Sequence, residues 1–324
     1  MSWGVVGASG FVGSAVVSAL RKAGIDVVPI PAPRLATELL DADHLAEEAR
    51  GHPCLADLEA ALRPCRVVVN AAGLAAPGAA DTPELRGANS LLPAVLAEAA
   101  ERVGVHRFLH LGSAAVQGSR PVLDETGATS PFSAYSRSKA LGEQVLRLRL
   151  RSDARAGTGD QGLEITVVRA TSVQGPTRPT TVALARLARS PLASVAAPGE
   201  APTPVVSVGA LADLVVAVGD FPSKLPFLVL QPWEGLTVRT VLEAAGGRPR
   251  VLPRWLCRAA LRCGYAASAL TGGRLSGAVR RAELMWFGQA QAPGWAERHS
   301  LVPEPRIRAV LEAAAGQVPR GRRP

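Results

Sequence analysis

Tyr135 and Lys139 stand four residues apart in PFSAYSRSKALGE, at the head of a stretch whose pattern predicts a helix running on through EQVLRLRL. On a helix, positions i and i+4 share one face about a turn apart. An ammonium held beside a phenol favours the phenolate and draws the Tyr pKa from roughly 10 toward neutrality. A Tyr tuned in this way passes a proton to or from a carbinol oxygen near pH 7. The plain alternative is a surface Tyr and a solvated Lys that happen to share a face. Composition bears on the choice. Of 36 basic residues only Lys22, Lys139 and Lys224 are lysines, and the two types are not interchangeable where a compact ammonium matters.

Chemistry at that pair needs elements to position it, and the N-terminus supplies the pattern. WGVV at 3–6 is a short apolar run, GASGFVG follows, and SAVVSALRKAG then reads as an amphipathic helix stopped by Gly24. In this strand, glycine turn and helix, Gly7, Gly10 and Gly13 let backbone approach a pyrophosphate at the helix N-terminus. The spacing is GxxGxxG rather than GxGxxG. Ile25 to Ile30 reads as the second strand. At its end, where an acidic residue would take a ribose 2′-hydroxyl, the chain has Pro31-Ala32-Pro33-Arg34, which tilts the expectation toward a 2′-phosphate and NADP.

From Leu35 to Leu62 the pattern is helical, with a stub of possible strand at His52–Cys54 and no clear third strand. RVVVN at 66–70 is a buried-type strand leading into small residues that would let a cofactor lie against the backbone. A helix is expected from about Pro83 to Val103, with Asn89 inside it. HRFLHLG is the next strand and Ser113 stands just past its end, where open parallel sheets bind ligands. There Ser113 is either a turn or N-cap serine or a hydroxyl reaching a substrate oxygen. Gly157 to Gly162 reads as a flexible loop before LEITVVR, which Arg169 and Thr171 close. Beyond it, 203–219 reads as strand and helix, 225–230 as strand, and 236–316 as mostly helical.

At 324 residues, 48% hydrophobic and 19% charged, the chain is an ordinary folded protein with a large core. Cys54, Cys65, Cys257 and Cys263 show no CxxC and no His cluster, so no metal site or disulfide framework is expected and a reducing cytoplasm fits. The N-terminus has no signal-peptide pattern and no stretch reads as a membrane span. Residues 239–324 carry fifteen Arg and five Glu, a net +10, whereas 1–238 carry 21 basic and 22 acidic residues, a net −1. A basic C-terminal third suggests a nucleotide diphosphate, a phospholipid face or nucleic acid, or simply a solvated Arg-rich exterior. PRWLCRAALRCGYAASAL within it is apolar on one face and basic on another. It suits a membrane surface or, the preferred reading, a cover for the substrate site or a partner subunit.

Together VVGASGFVG, NAAG at 70–73, LHLGSAAVQG at 109–118, DETGATSPFSAYSRSKALGE at 124–143 and VVRATSVQGP at 167–176 resemble the extended short-chain dehydrogenase/reductases, in their NAD-dependent epimerase/dehydratase branch. The resemblance covers roughly residues 3–220. It implies an α/β fold: a Rossmann-type doubly wound parallel sheet (1–175, with 203–222 returning to it) and a smaller, mostly helical substrate lobe (176–202 and 223–324). It implies Ser113, Tyr135 and Lys139 as the catalytic set, with Tyr as acid/base, Ser polarising the oxygen and Lys also gripping the nicotinamide ribose. Around an NAD(P) cofactor it implies Gly7, Ser9, Gly10, Phe11, Val12 and Gly13, then Arg34, Ala71, Ala72, Gly73, Asn89 and Arg169. Gln117 and Gln174 replace common tyrosines, and Val208-Gly209-Ala210 replaces an acidic pair, so substrate contacts differ. Ala114-Ala115 stand where nucleotide-sugar dehydratases carry Asp-Glu, which rejects dehydration.

The expected activity is oxidoreduction or epimerisation at a hydroxyl or keto group of a nucleotide-linked sugar, by a cytoplasmic enzyme and possible homodimer that binds no nucleic acid. The alternatives are a reductase or dehydrogenase of an apolar, sterol- or flavonoid-like alcohol, and a non-catalytic cofactor-binding regulator. If the C-terminal arginines hold a diphosphate, a few of them converge above Ser113 and Tyr135; a cleft lined by Trp, Leu and Ala reverses the preference.

Overall fold

The computed structural model describes residues 2–75, 80–155, 162–272 and 275–318. Its strands are β1 (Ser2–Val6), β2 (Val27–Ile30), β3 (Cys65–Asn70), β4 (Arg107–Ser113), β5 (Val122–Leu123), β6 (Glu164–Ala170), β7 (Ser172–Gln174), β8 (Ser194–Ala196), β9 (Val205–Ser207), β10 (Leu228–Leu230), β11 (Arg250–Leu252) and β12 (Ala290–Gln291). Its α-helices are α1 (Phe11–Lys22), α2 (Ala42–Arg50), α3 (Leu55–Leu62), α4 (Pro83–Arg86), α5 (Leu92–Arg102), α6 (Ala134–Arg155), α7 (Pro179–Arg189), α8 (Val208–Gly219), α9 (Val238–Ala244), α10 (Arg254–Leu270), α11 (Ser276–Phe287), α12 (Trp295–Arg298) and α13 (Ile307–Gln317).

Six strands make one parallel sheet in the order β10-β6-β4-β3-β1-β2. Runs such as VVVN and TVVR are buried on both faces because helices cover both sides of a parallel sheet. On one face α2, α3, α5 and α6 bury Leu45, Leu58, Val95 and Val145; on the other α1 and α8 bury Val16, Leu20, Leu214 and Val218. The helices change face as the chain passes from β2 to β3. That reversal opens a crevice at the C-terminal ends of β1 and β3, where such sheets bind their ligands.

The expected stub at His52–Cys54 is a turn, and no strand lies beyond β2 among the described residues. The His52 ring stays local: its Nδ1 lies 3.3 Å from the Cys54 amide nitrogen and 3.0 Å from its Sγ. Residues 31–40 are irregular, and the helical pattern begins only where the Asp41 side chain caps α2 by accepting from the His44 amide. Pro83–Val103 is not one uniform helix: between α4 and α5 the residues Gly87–Leu91 form a π-helical turn that carries Asn89. Most of the loop expected at 157–162 lies outside the described residues.

The small sheets β7-β9 and β5-β12 tie the C-terminal half to the main body, and β8-β11 joins two segments within that half. The second lobe packs α7, α9 and α13 around Ala185, Leu242, Leu311 and Ala315. Leu228–Leu230, placed in the lobe by sequence, is instead the edge strand of the main sheet, paired in parallel with β6. Nearby, Trp295 of α12 packs edge-on against Phe221 at 4.7 Å.

Candidate active site

The turn after β1 is shaped by contacts that only glycine permits. Gly7 takes φ +76°, and a Cβ on it would lie 2.9 Å from the Ala72 backbone. A Cβ on Gly13 would stand 2.1 Å from the Gly7 carbonyl oxygen, so α1 begins pressed against its own turn. The Gly7 amide donates to Ile30 O at 3.2 Å and the Ala71 amide to Val6 O at 3.0 Å, which joins the crevice across β2, β1 and β3. Asn70 closes β3: its Oδ1 accepts from the Ala72 amide at 3.0 Å, and its amide nitrogen donates to Nδ1 of the buried His110 at 3.1 Å. Burial, aided by the nearby Lys139 charge, holds His110 well below its ordinary value and therefore neutral.

Asn89 fixes the next loop. Its side chain accepts from the Leu74 amide and donates to the Leu74 carbonyl, both at 3.1 Å, and donates to Ser138 Oγ on α6 at 3.0 Å. This brings Gly73 over α6: a Cβ there would meet Lys139 Nζ at 3.0 Å and Asn89 Oδ1 at 2.8 Å. Lys139 is buried, and its Nζ donates to the Leu111 carbonyl at 3.1 Å. With no carboxylate to offset desolvation, its ammonium titrates at about 8 rather than 10.5.

Ser113 is the last residue of β4. Its Oγ accepts from the Ala115 amide at 3.2 Å and so caps the next turn, while the hydroxyl also bears on the neighbouring Tyr135 phenol. Burial raises the Tyr135 pKa; the neighbouring Ser113 hydroxyl and the charge of Arg178 oppose it. The cation whose charge bears on the phenol here is Arg178, while Lys139 gives one of its three donors to the Leu111 carbonyl.

Arg178 is the site residue that sequence reading missed. It precedes Pro179, the first residue of α7. Its guanidinium lies over the Phe11 ring at 4.8 Å and donates to the Val173 carbonyl. The available signal was an Arg immediately before a helix-opening Pro, just beyond the VVRATSVQGP stretch.

Ser113, Tyr135, Lys139, Val12, Ala71, Ala72, Gly73 and Arg178 all line one cavity of about 790 Å³. Ser9, Gly10 and Phe11 are exposed at the glycine turn. Arg34 is exposed just past β2, and no ion pair holds it among the described residues. Arg169 does not line the cavity. Fully buried, it makes a two-pronged pair with Glu143 at 2.6 and 3.1 Å and donates to the Asp124 and Thr126 carbonyls at 2.9 and 2.8 Å. The cofactor role expected for its side chain is replaced by one in holding β6, α6 and the 124–126 loop together.

A family model described as the NAD dependent epimerase/dehydratase family matches residues 3–215. The chain belongs to that family. Its enzymes are NAD-dependent and of the short-chain dehydrogenase/reductase type, as the glycine turn and the clustered Ser113, Tyr135 and Lys139 lead one to expect. Solved structures similar to it include the UDP-glucuronic acid 4-epimerase of Bacillus cereus in complex with NAD, at 18% identity and TM-score 0.64, with 98% of each chain covered. The UDP-glucose 4-epimerase of Thermus thermophilus with NAD is 20% identical, with TM-score 0.60 over 98% of this chain and 100% of that one. The Bifidobacterium longum UDP-glucose 4-epimerase with NAD+ and UDP gives 20% and 0.57 over 97% of each. A comparison with curated protein sequences gives no match.

The crevice fits a dinucleotide. Glycines at 7 and 13 let the turn fold flush against Ala72 and against itself, which leaves the exposed N-terminus of α1 accessible to a pyrophosphate, and Ala71–Gly73 line the cavity beside Lys139, where a ribose and nicotinamide would fit.

Proposed function

We propose that this chain interconverts a secondary alcohol and its ketone on a predominantly apolar substrate. The observation that carries the reading is the far wall of the cavity, built from Leu184, Leu187, Val241, Leu242, Leu284 and Met285. Among the described arginines of the basic C-terminal third, only Arg281 lines it. The others are turned to other partners or outward: Arg239 pairs Glu243, Arg298 pairs Glu125 and Arg306 pairs Asp213, while Arg248, Arg250, Arg258 and Arg262 are exposed. The convergence expected for a diphosphate-bearing substrate is therefore not supported.

In this reading the dinucleotide, when bound, supplies the hydride acceptor or donor. Tyr135 takes the hydroxyl proton in oxidation and returns it in reduction, from the position fixed by its place at the start of α6. Ser113, beside the phenol, orients the substrate oxygen toward it. Lys139 presents its ammonium beneath Gly73, where a ribose hydroxyl would lie. Arg34, exposed and free of an acidic partner, supports NADP over NAD.

The second reading, a nucleotide-linked sugar, is favoured by two guanidiniums on the cavity wall, Arg178 and Arg281. Its plausibility also draws on similar structures that hold UDP or act on UDP-sugars. Turnover across ring alcohols, ring ketones and UDP-sugars with both cofactors decides between the readings. Apolar ketones should turn over, and Tyr135→Phe should abolish that turnover by at least ~100-fold while cofactor binding persists. Turnover confined to UDP-sugars, with an Arg281→Ala loss of on the order of 1.5–3 kcal/mol residing in KM, would overturn the first reading.

A further inference from the structure

The helix α10 is packed on one narrow stripe only: Cys257, Leu261 and Ser268 are its buried residues. That stripe lies against α11, where Tyr265 Oη donates to Glu283 Oε2 at 2.5 Å and a Cβ on Gly264 would sit 3.1 Å from Val279. The opposite side of the helix is open and apolar. Trp255, Ala259, Ala266 and Leu270 fall along one outward stripe, with Leu256 and Cys263 beside it. Trp255 is 70% exposed and Leu270 89%. Arg254, Arg258 and Arg262, spaced by four, run along the flank of that stripe. Val251 and Leu192, also exposed, continue it onto the β8-β11 ribbon.

The charge around this face is of one sign. Between Glu243 and Glu283 the sequence holds eight arginines and no Asp or Glu. Among the described residues no carboxylate pairs Arg250, Arg258 or Arg262. Among those residues, too, no helix is long and apolar enough to cross a membrane. An apolar stripe with an exposed Trp, flanked by unpaired arginines, is instead the pattern of a helix lying in a lipid–water interface.

We propose that the outer face of α10, continued by Leu192 and Val251, docks on an anionic phospholipid bilayer. Trp255, Leu256 and Leu270 enter the headgroup region and the arginine row meets lipid phosphates. The other side of the same helical pair faces the cavity, through Arg281, Ala282, Leu284 and Met285 of α11. Docking would thus bring an apolar cavity next to the phase in which apolar substrates dissolve, although the surface argument stands without any choice of substrate.

The test is co-sedimentation of the full chain, free of substrate, with vesicles of pure phosphatidylcholine and with vesicles enriched in phosphatidylglycerol. Binding should require the anionic lipid, weaken with salt and blue-shift the tryptophan emission. Arg258→Gln with Arg262→Gln should lower partitioning roughly 25-fold, at about fivefold for each basic residue near an anionic surface. Trp255→Ser with Leu270→Ser should lower it by a similar factor. Both pairs are exposed and outside the site, so cofactor titration and the unfolding midpoint should stay at the parent values. Equal binding to both vesicle types, no binding, or binding indifferent to these substitutions would overturn the proposal. So would a dimer that Trp255→Ser with Leu270→Ser dissociates without vesicle binding, which would assign the face to a second copy of the chain. Because no substrate is present, failure here leaves the turnover result unaffected.

Discussion

Lys139→Met separates the cost of the site from its use. Lys139 is buried, its one hydrogen bond runs to the Leu111 carbonyl, and its ammonium titrates at about 8 against an ordinary 10.5. Each tenfold difference is worth about 1.4 kcal/mol, so the gap corresponds to ~3 kcal/mol of destabilisation while the folded protein must carry the charge. The sign follows from proton counting. Between pH 8 and 10.5 the unfolded chain binds the proton that the folded chain has released, so stability rises with pH across that window. Below pH 8 the full penalty stands; above 10.5 it vanishes. Methionine has similar length and no charge, and loses a hydrogen bond worth about 1 kcal/mol. The variant should therefore be about 2 kcal/mol more stable than the parent at about pH 6.5 in urea unfolding, with the advantage gone by about pH 10. It should also lose turnover. A variant less stable under the acidic condition, or a difference that does not change with pH, would refute the claim that this lysine is charged, buried and unpaired.

Arg178→Ala should move the pH–rate profile of oxidation to higher pH, because burial raises the phenol and Arg178 is the cation opposing it; an unmoved profile would detach Arg178 from Tyr135. Arg34→Ala should weaken NADP affinity by on the order of tenfold and leave NAD affinity alone, as direct titration of each dinucleotide would read. Arg169→Met should cost about 3–5 kcal/mol of stability by stranding Glu143, and adding Glu143→Leu should recover most of it. A well-folded Arg169→Met with selectively lost cofactor affinity would restore the role first expected of that side chain.

The parts of the fold that sequence announced are those where one local rule dominates. The apolar run at 66–70 and the TVVR run of β6 could only be central strands, since both faces are covered. The glycine turn was legible because each glycine answers to a contact within ten residues or to the adjoining strand. The missing strand beyond β2 was not legible in the same way. Residues 31–40 carry apolar side chains, yet they pack against α2 and α4 as irregular chain, and no periodicity distinguishes that from a weak helix. The π-helical turn at Asn89 changes the phase of a helix without changing its composition. Arg178 and Arg169 were misjudged for one reason. The chain position of a cation fixes neither which carboxylate nor which phenol it meets, and both outcomes here are tertiary: Arg169 finds Glu143 and Arg178 finds Tyr135. The C-terminal arginines carry the same lesson, since net charge says nothing of which side of a helix faces the cavity.

One face of α6 explains why a site with an unpaired buried lysine persists. Tyr135, Lys139, Glu143 and Arg147 recur at intervals of four, so they stack along a single stripe, each about 6 Å further along the axis than the last. The first half of the stripe lines the cavity, where the half-buried Tyr135 and the buried Lys139 have no carboxylate beside them among the described residues. The second half is an anchor: Glu143 takes both prongs of Arg169 from β6, with Arg147 a further 3.8 Å away. Left to itself, a buried lysine lowers its free energy by letting the helix slide or tilt until the ammonium reaches water. The anchor opposes that movement, because any shift of α6 that frees Lys139 also pulls Glu143 off Arg169 and strands two charges in the core. The Asn89–Ser138 hydrogen bond holds the other side of the helix at the same level. The Arg169–Glu143 pair thus opposes any shift of Lys139 from its unfavourable position beneath Gly73, about one helical turn from Tyr135.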